Sequence, residues 1–387
     1  MTDDPPPSPA LLPAGLRDLL PPDAETEAAT VERLMATFAG HGYERVKPPL
    51  LEFEDGLLAG TGAATADQTF RLLDPHSHRM MGLRADITPQ IARIATTRLG
   101  GAPRPLRLCY AGQCLRVRAS QLAPDRQLAQ AGIELIGIDS PDADAEIILV
   151  GAEALAALDL TRVSFDLTLP MLVPTLLDEA GMTGAPRAAL ARALDRKDAA
   201  AVARHGETLA PVLTDLLLAA GPADRALAAL QAARLPNAAG TLATRLADAV
   251  AAIRARAPQL RLTIDPVEFR GFRYETGVSV TVYAPGRHEE LGRGGRYICG
   301  DTEPATGLTL YPDAVLRAAP TREARLRVFV PRGTSQEQTA GLRAQGFATV
   351  AALEPAPDDA AEATRLGCTH LLRDGRAIPL RPAPETA

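Results

Sequence analysis

The sequence predicts an α+β fold: an antiparallel sheet flanked by helices, with a helical insertion and a small C-terminal α/β module. Three observations carry this. Two β-rich runs, Leu106–Arg118 and Ala131–Ile138, are joined by a polar stretch containing Pro124, the pattern of an antiparallel hairpin. From Met171 to about Pro258 the composition shifts to alanine, leucine and charged residues at helical spacing. Beyond Arg322, strand-like and helix-like segments alternate, as in a partly parallel α/β unit.

The elements follow in order. Residues 1–10 are acidic and proline-rich and are expected to form a disordered leader. They lack the basic and apolar regions of a signal peptide. After Pro21-Pro22, Val31, Leu34, Met35 and Phe38 repeat at i, i+3, i+4 and i+7, which predicts an amphipathic helix that Gly40 and Gly42 end. Tyr43–Glu52 reads as a strand whose two prolines suit an edge or a subunit boundary. A second helix is expected over Thr88–Leu99, with Pro89 in its first turn. The hairpin and the insertion (about 171–258) come next, and sheet-like sequence returns at Arg261–Ala284 with the alternating Val278–Val282. The main domain is expected to span 11–322 and the α/β module 323–387. In the module, strands are expected at Leu326–Pro331, Phe347–Leu353 and Cys368–Leu372, and helices at Ser335–Gln345 and Asp358–Leu366. No internal repeat is visible.

Composition narrows the function classes. A chain of 387 residues can bury cores that need no disulfide or metal support. The net charge of −6 argues against a dedicated nucleic-acid binder, whose phosphate contacts usually show as a basic surface. Cys109, Cys114, Cys299 and Cys368 are scattered, with no CxxC pair and no nearby histidine cluster. Neither a zinc site nor a disulfide framework is expected, and free thiols in a reducing cytoplasm are. No apolar run reaches the roughly 20 residues of a membrane span.

Polar residues stand where the hairpin should be apolar. Side chains alternate faces along a strand, so Leu108, Tyr110, Gly112, Cys114, Arg116 and Arg118 point one way. On the partner, Gln130, Gly132, Glu134, Ile136 and Ile138 share a face. A glutamate within "AGIELIGI" is costly to bury unless it is paired. A buried Arg116–Glu134 ion pair or a solvated face satisfies that demand. So does a pocket in which carboxylate and guanidinium grip a zwitterion, because carboxylates suit ammonium or imidazole N–H groups and arginine suits carboxylates. "LRADITPQIAR" (Leu83–Arg93) places Asp86 and Thr88 at a helix N-terminus, where capping is the ordinary role. "RGFRYETG" (Arg270–Gly277) and "GRGGRY" (Gly292–Tyr297) read as glycine-bearing turns, which also let a backbone approach a ligand closely.

Over roughly Leu12–Ala319 these segments resemble the histidyl-tRNA synthetase branch of the class II aminoacyl-tRNA synthetases. "GYERVKPPLLE" (Gly42–Glu52) is similar to the dimer-forming motif 1, with Pro49 at its proline, and "YAGQCLRVR" (Tyr110–Arg118) to motif 2, with Arg116 at its arginine. "RGFRYETG" and "GRGGRY" resemble the two peptides peculiar to the histidine branch. The resemblance implies a class II synthetase-like sheet with a histidine pocket. In it Asp86, Thr88 and Gln130 hold the amino group, Glu134 reads the imidazole and Tyr274 shapes that end. Arg116 and Arg270 match the arginines that grip the substrate carboxylate and the ATP phosphate.

The departures bear on activity. Motif 3 of active synthetases carries an acidic-arginine pair whose arginine clamps ATP. In "GLTLYPDAVLRA" (Gly307–Ala318) Asp313 fills the acidic position and Ala314 stands in place of the arginine. Arg118 reverses the charge of a motif 2 glutamate, Arg273 and Glu275 replace an aspartate and a tyrosine, and Ile298 replaces another aspartate. Losing one electrostatic clamp costs on the order of 3 kcal/mol of transition-state stabilisation.

"LRADITPQIAR" and "RGFRYETGVSV" resemble the regulatory subunits of ATP phosphoribosyltransferase more than the synthetases, whose first segment usually reads LRPEGT. That resemblance implies a chain with no catalysis, cofactor or metal of its own. It assembles, as a homodimer within a larger hetero-oligomer, with a short-form ATP phosphoribosyltransferase catalytic subunit. Histidine is its effector, tRNA is not a partner, no membrane is involved, and the setting is the cytoplasm. The alternative is a divergent histidyl-tRNA synthetase or other amino-acid activator, with Arg317 standing in for the missing arginine.

Overall fold

The apolar spacing of the first helix does what it predicts: α1 (Asp23–Gly40) buries Leu34, Met35 and Phe38 against the main core. In this computed structural model, residues 11–118, 124–269, 274–320 and 325–380 are described. The leader, residues 119–123, Arg270 and its neighbours to 273, and residues 321–324 and 381–387 lie outside the described residues. The chain divides into two compact units at Pro320/Thr321.

The predicted strand Tyr43–Glu52 is instead two short ones, β1 (Glu44–Arg45) and β2 (Leu51–Phe53). Pro48 and Pro49 interrupt it, because they cannot donate to a ladder. β1 pairs in parallel at the sheet edge, whereas β2 joins β3 (Phe70–Leu73) and β4 (Met80–Leu83) in a separate sheet ordered β2-β4-β3. Between them lies the single turn α2 (Glu54–Leu57). The helix α3 (Thr88–Thr97) follows, with Pro89 in its first turn.

β5 (Leu106–Leu115) and β6 (Gln127–Ile136) form the expected antiparallel hairpin. α4 (Pro141–Ala156), capped by Ser140, and β7 (Ser164–Thr168) come next. The insertion is a run of six helices, α5 (Leu172–Glu179), α6 (Gly184–Asp195), α7 (Ala199–His205), α8 (Ala210–Ala219), α9 (Ala223–Ala232) and α10 (Asn237–Arg256). A two-residue strand, β8 (Gly221–Pro222), breaks the run. These helices make the crossover between β7 and its parallel neighbour β9 (Arg261–Asp265), a connection that parallel strands require.

β10 (Ser279–Tyr283), β11 (Glu290–Cys299) and β12 (Glu303–Leu310) complete the main sheet, and the short helix α11 (Pro312–Ala318) ends the unit. The nine-stranded order is β1-β5-β6-β12-β11-β10-β7-β9-β8. One correction concerns "GRGGRY". It lies in the middle of β11 and makes no turn. Its glycines serve close packing: a Cβ at Gly294 would collide with the Gly307 carbonyl of β12.

The second unit contains β13 (Arg327–Val330), α12 (Gln336–Ala344), β14 (Ala348–Ala351), α13 (Asp359–Arg365), β15 (His370–Arg373) and β16 (Arg376–Pro379). β13 pairs in parallel with β14 and β15, and β16 adds an antiparallel strand that the sequence did not announce. Val328, Val330, Leu342 and Leu372 form one small core, and Phe329, Ala363, Cys368 and Leu371 another.

Candidate functional site

Pairing of β5 with β6 sets Leu108 opposite Glu134, Tyr110 opposite Gly132 and Gly112 opposite Gln130. β12 brings Gly307 opposite Glu134 and Thr309 opposite Gly132, and β11 brings Gly295 and Arg293 opposite those. Alternation puts this whole set on one face of the sheet. Glycine at 307 is what lets Glu134 lie flat across the sheet, because a Cβ there would overlap its Oε2. Gly132 does the same for Tyr110, whose hydroxyl would meet an added Cβ at 2.5 Å.

Glu134 is 1 % exposed, and hydroxyl groups surround its carboxyl. Thr88 Oγ1 donates to its Oε1 at 3.1 Å, the Tyr110 hydroxyl approaches the same oxygen at 3.3 Å, and Tyr297 donates to Oε2 at 2.9 Å. Tyr110 also lies 2.7 Å from Thr309 Oγ1. Burial pushes the Glu134 carboxyl up to about 8, against the opposing pull of the Tyr297 and Thr88 hydrogen bonds, and the nearby Asp86 charge raises it further. Burial also drives the phenols of Tyr110, Tyr274 and Tyr297 well above their usual range. Tyr274 packs edge-on to Tyr297, with centroids 6.0 Å apart and planes at 82°.

The N-terminus of α3 closes one side. Asp86 Oδ1 accepts the Thr88 amide at 3.1 Å. Gln130 Oε1 accepts the Ile87 amide at 3.0 Å and the Cys114 thiol at 3.2 Å, which ties the start of α3 to β6. The result is a cavity of about 420 Å³, open mouth included, lined by Asp86, Thr88, Gln130, Glu134 and Tyr274 among others. Its mixture of aromatic and convergent polar groups suits a small polar molecule.

Five of the seven sequence-predicted site residues therefore meet around one space. Arg116 does not line it. It sits one residue beyond β5 and directs Nε toward the Ala85 carbonyl at 3.5 Å, and Glu134 is held by hydroxyls and not by an Arg116 ion pair. Arg270 lies outside the described residues. Sequence reasoning gave no role to the Tyr297 hydroxyl, Thr309, Arg293 or Glu275, all of which line the cavity. For Tyr297, Thr309 and Arg293 the signal is the alternation along β11 and β12, which becomes readable once the register is known, whereas Glu275 lies in the segment before β10.

The motif 3 region is closed to solvent at its key position. Ala314 is 3 % exposed in the core. Asp313 Oδ2 accepts the Ala129 amide at 2.9 Å and so fastens α11 to β6. Arg317 points to Glu289, with Nε 3.0 Å from Oε2. Among the described residues, no group of three His, Cys, Asp or Glu side chains could hold a metal ion, and no helix is long and apolar enough to cross a membrane. The four cysteines are buried and unpaired.

Comparison with known proteins places this geometry. Residues 15–315 match the family model described as histidyl-tRNA synthetase. A protein of Rhodospirillum centenum called ATP phosphoribosyltransferase regulatory subunit is 55 % identical over 99 % of this chain and all of its own length. One of the same name from Paramagnetospirillum magneticum is 56 % identical over 94 % of this chain and 96 % of its own. A Bacillus halodurans structure titled ATP phosphoribosyltransferase regulatory subunit/histidyl-tRNA synthetase superposes with a TM-score of 0.76 at 25 % identity, covering 92 % of this chain and 96 % of that one. The histidyl-tRNA synthetase of Nostoc has the same fold, with a TM-score of 0.75 at 17 % identity over 93 % of this chain and 90 % of its own. The fold is thus that of the class II aminoacyl-tRNA synthetases.

Proposed function

This chain belongs to the ATP phosphoribosyltransferase regulatory subunit family, and from that membership we propose that it is a non-catalytic subunit through which histidine controls the first step of histidine biosynthesis. In this reading a short-form catalytic subunit requires it for activity, the two assemble in the cytoplasm around a homodimer of this chain, and histidine bound to it lowers the activity of the complex. The observation that carries the proposal is the cavity. It pairs a buried, hydroxyl-ringed Glu134 with Asp86, Thr88 and Gln130. Such a set can hold an imidazole at one end and an ammonium at the other. Feedback then needs only that one assembly state binds histidine better than another.

Two features favour sensing over amino-acid activation. Aminoacyl activation needs the phosphates of ATP held in line and neutralised. Ala314 supplies no charge, and Arg317, the residue proposed to compensate, is engaged by Glu289. ATP–pyrophosphate exchange with histidine is expected to stay at background, and histidine-dependent exchange at a synthetase-like rate would establish the activating enzyme instead. The direct test mixes the purified chain with a short-form catalytic subunit and follows product formation with and without histidine. Activation on mixing, reversed by histidine, is expected. A catalytic subunit equally active alone and insensitive to histidine in the mixture would sink the proposal.

A further inference from the structure

The neighbours of Gln130 dictate which way its amide faces. Its Oε1 accepts the Ile87 backbone amide at 3.0 Å and the Cys114 thiol at 3.2 Å. A backbone N–H can only donate, so the oxygen must stand on that side. Burial pushes the Cys114 thiol well above its usual range, so it keeps the proton that it donates. A carbonyl oxygen has two lone pairs, and here both are taken. The nitrogen, with its two N–H donors, is the end left for a ligand. Gln130 is 1 % exposed and lines the cavity, and among the described residues nothing accepts from its Nε2.

This polarity disagrees with the ammonium-holding role that the synthetase resemblance gives the residue. An ammonium group has donors only, and a filled oxygen beside two N–H donors cannot hold it. Asp86 can. Its Oδ1 takes the Thr88 amide at 3.1 Å, and Oδ2 has no hydrogen-bond partner among the described residues. A buried donor left without an acceptor is costly, so Nε2 calls for an oxygen of the ligand. The Ile87 amide stands just ahead of α3, and its bond to Oε1 polarises the Gln130 amide and strengthens the donor at the far end. Glu134 lies four residues further along β6 on the same face, its backbone about 13 Å away. The two side chains converge on consecutive residues, Gln130 on Ile87 and Glu134 on Thr88. The space between them suits a short molecule with a carboxylate at one end and an imidazole at the other.

We infer that Gln130 reads the carboxylate of the bound amino acid through Nε2 and leaves the ammonium to Asp86. The inference rests on the histidine reading of the cavity proposed above. It sets both charged groups of the ligand at the Gln130 end, with the ring toward Glu134.

The test is calorimetric titration of the full chain with histidine and with histamine, which lacks the carboxylate, in wild type and two variants. Gln130→Glu keeps an oxygen for the Ile87 amide and turns the donor into an acceptor. It should weaken histidine at least about tenfold and leave histamine unchanged or tighter. A residue that held the ammonium would respond the other way, with histidine bound more tightly. Gln130→Met, similar in length and without donors, should lower the ratio of histidine to histamine affinity about tenfold. A purely structural loss would weaken both ligands alike and leave that ratio standing. Thermal melts establish that the variants are folded, and either one that folds decides the matter. A folded variant that keeps the wild-type ratio, or a Gln130→Glu protein that binds histidine more tightly, overturns the inference while the histidine reading stands. If wild type binds neither ligand, the histidine reading itself falls and this inference with it.

Discussion

At the scale of single residues, Glu134 is held from three sides by the hydroxyls of Thr88, Tyr110 and Tyr297. Its raised carboxyl has a consequence for stability. A group whose folded value lies near 8 and whose unfolded value lies near 4.5 binds its proton more tightly in the native state. Its contribution is fully present below the unfolded value and is lost as pH rises through about 8. Between pH 5 and pH 9 wild type should therefore lose more stability than Glu134→Gln, by at most about 5 kcal/mol. Urea midpoints at the two pH values measure it, and parallel losses in the two proteins would contradict it. Gly307 makes a second case. Gly307→Ala forces a methyl group onto Glu134 Oε2, so the carboxylate or β12 must shift. We expect a destabilisation of about 1–3 kcal/mol, in the range of other overpacked sites, and at least a tenfold weaker ligand affinity. Calorimetry on a variant shown to be folded decides the second part.

At the scale of elements, β11 presents two faces with different tasks. Arg293, Gly295 and Tyr297 face the cavity, while Arg296 turns to the opposite side. There Arg296 Nη2 meets Asp144 Oδ1 of α4 at 2.7 Å, Nη1 donates to the Ile138 carbonyl at 3.1 Å, and Arg245 Nε of α10 reaches Asp144 Oδ2 at 3.1 Å. One buried carboxylate thus joins the sheet, α4 and the insertion. Asp144→Ala should cost about 1–3 kcal/mol, because it removes the buried carboxylate that both guanidinium groups share while Asp139 still pairs with each of them, and chemical denaturation reads it directly. The same elements show what a sequence makes legible. α3 and the β5–β6 hairpin could be read because their periodicity is local, and so half of the cavity could be read from segments close together in the chain. α4 carries its own start signal, Ser140 before Pro141 with Asp142 and Asp144 in the first turn, which sequence reading passed over. β11 resists reading for a physical reason. Glycine in a strand looks like a turn until the partner it makes room for is known. Tyr297 reaches Glu134 across 163 residues of chain, a register that local patterns do not encode.

At the scale of the whole molecule, every lining residue of the cavity falls within the unit that ends at Pro320. The unit from Thr321 has its own small cores on both faces of a four-stranded sheet. A chain shortened to residues 1–320 should therefore bind histidine within about threefold of the full protein, since none of the cavity's contacts are removed. A loss of binding in a folded truncated chain would assign the second unit a part in ligand capture. Activation of the catalytic subunit by the same truncated chain, measured in parallel, separates sensing from docking.

Ala314 carries a lesson about reversibility. Helix α11 packs on α1, β6 and β11, and position 314 is 3 % exposed in the main core. Restoring the arginine that the synthetase resemblance places there would press a long charged side chain into a sealed core before any nucleotide could meet it. The way back to a nucleotide clamp therefore passes first through a less stable protein. A scaffold sealed at this position can take up a nucleotide clamp only if the core around it opens first.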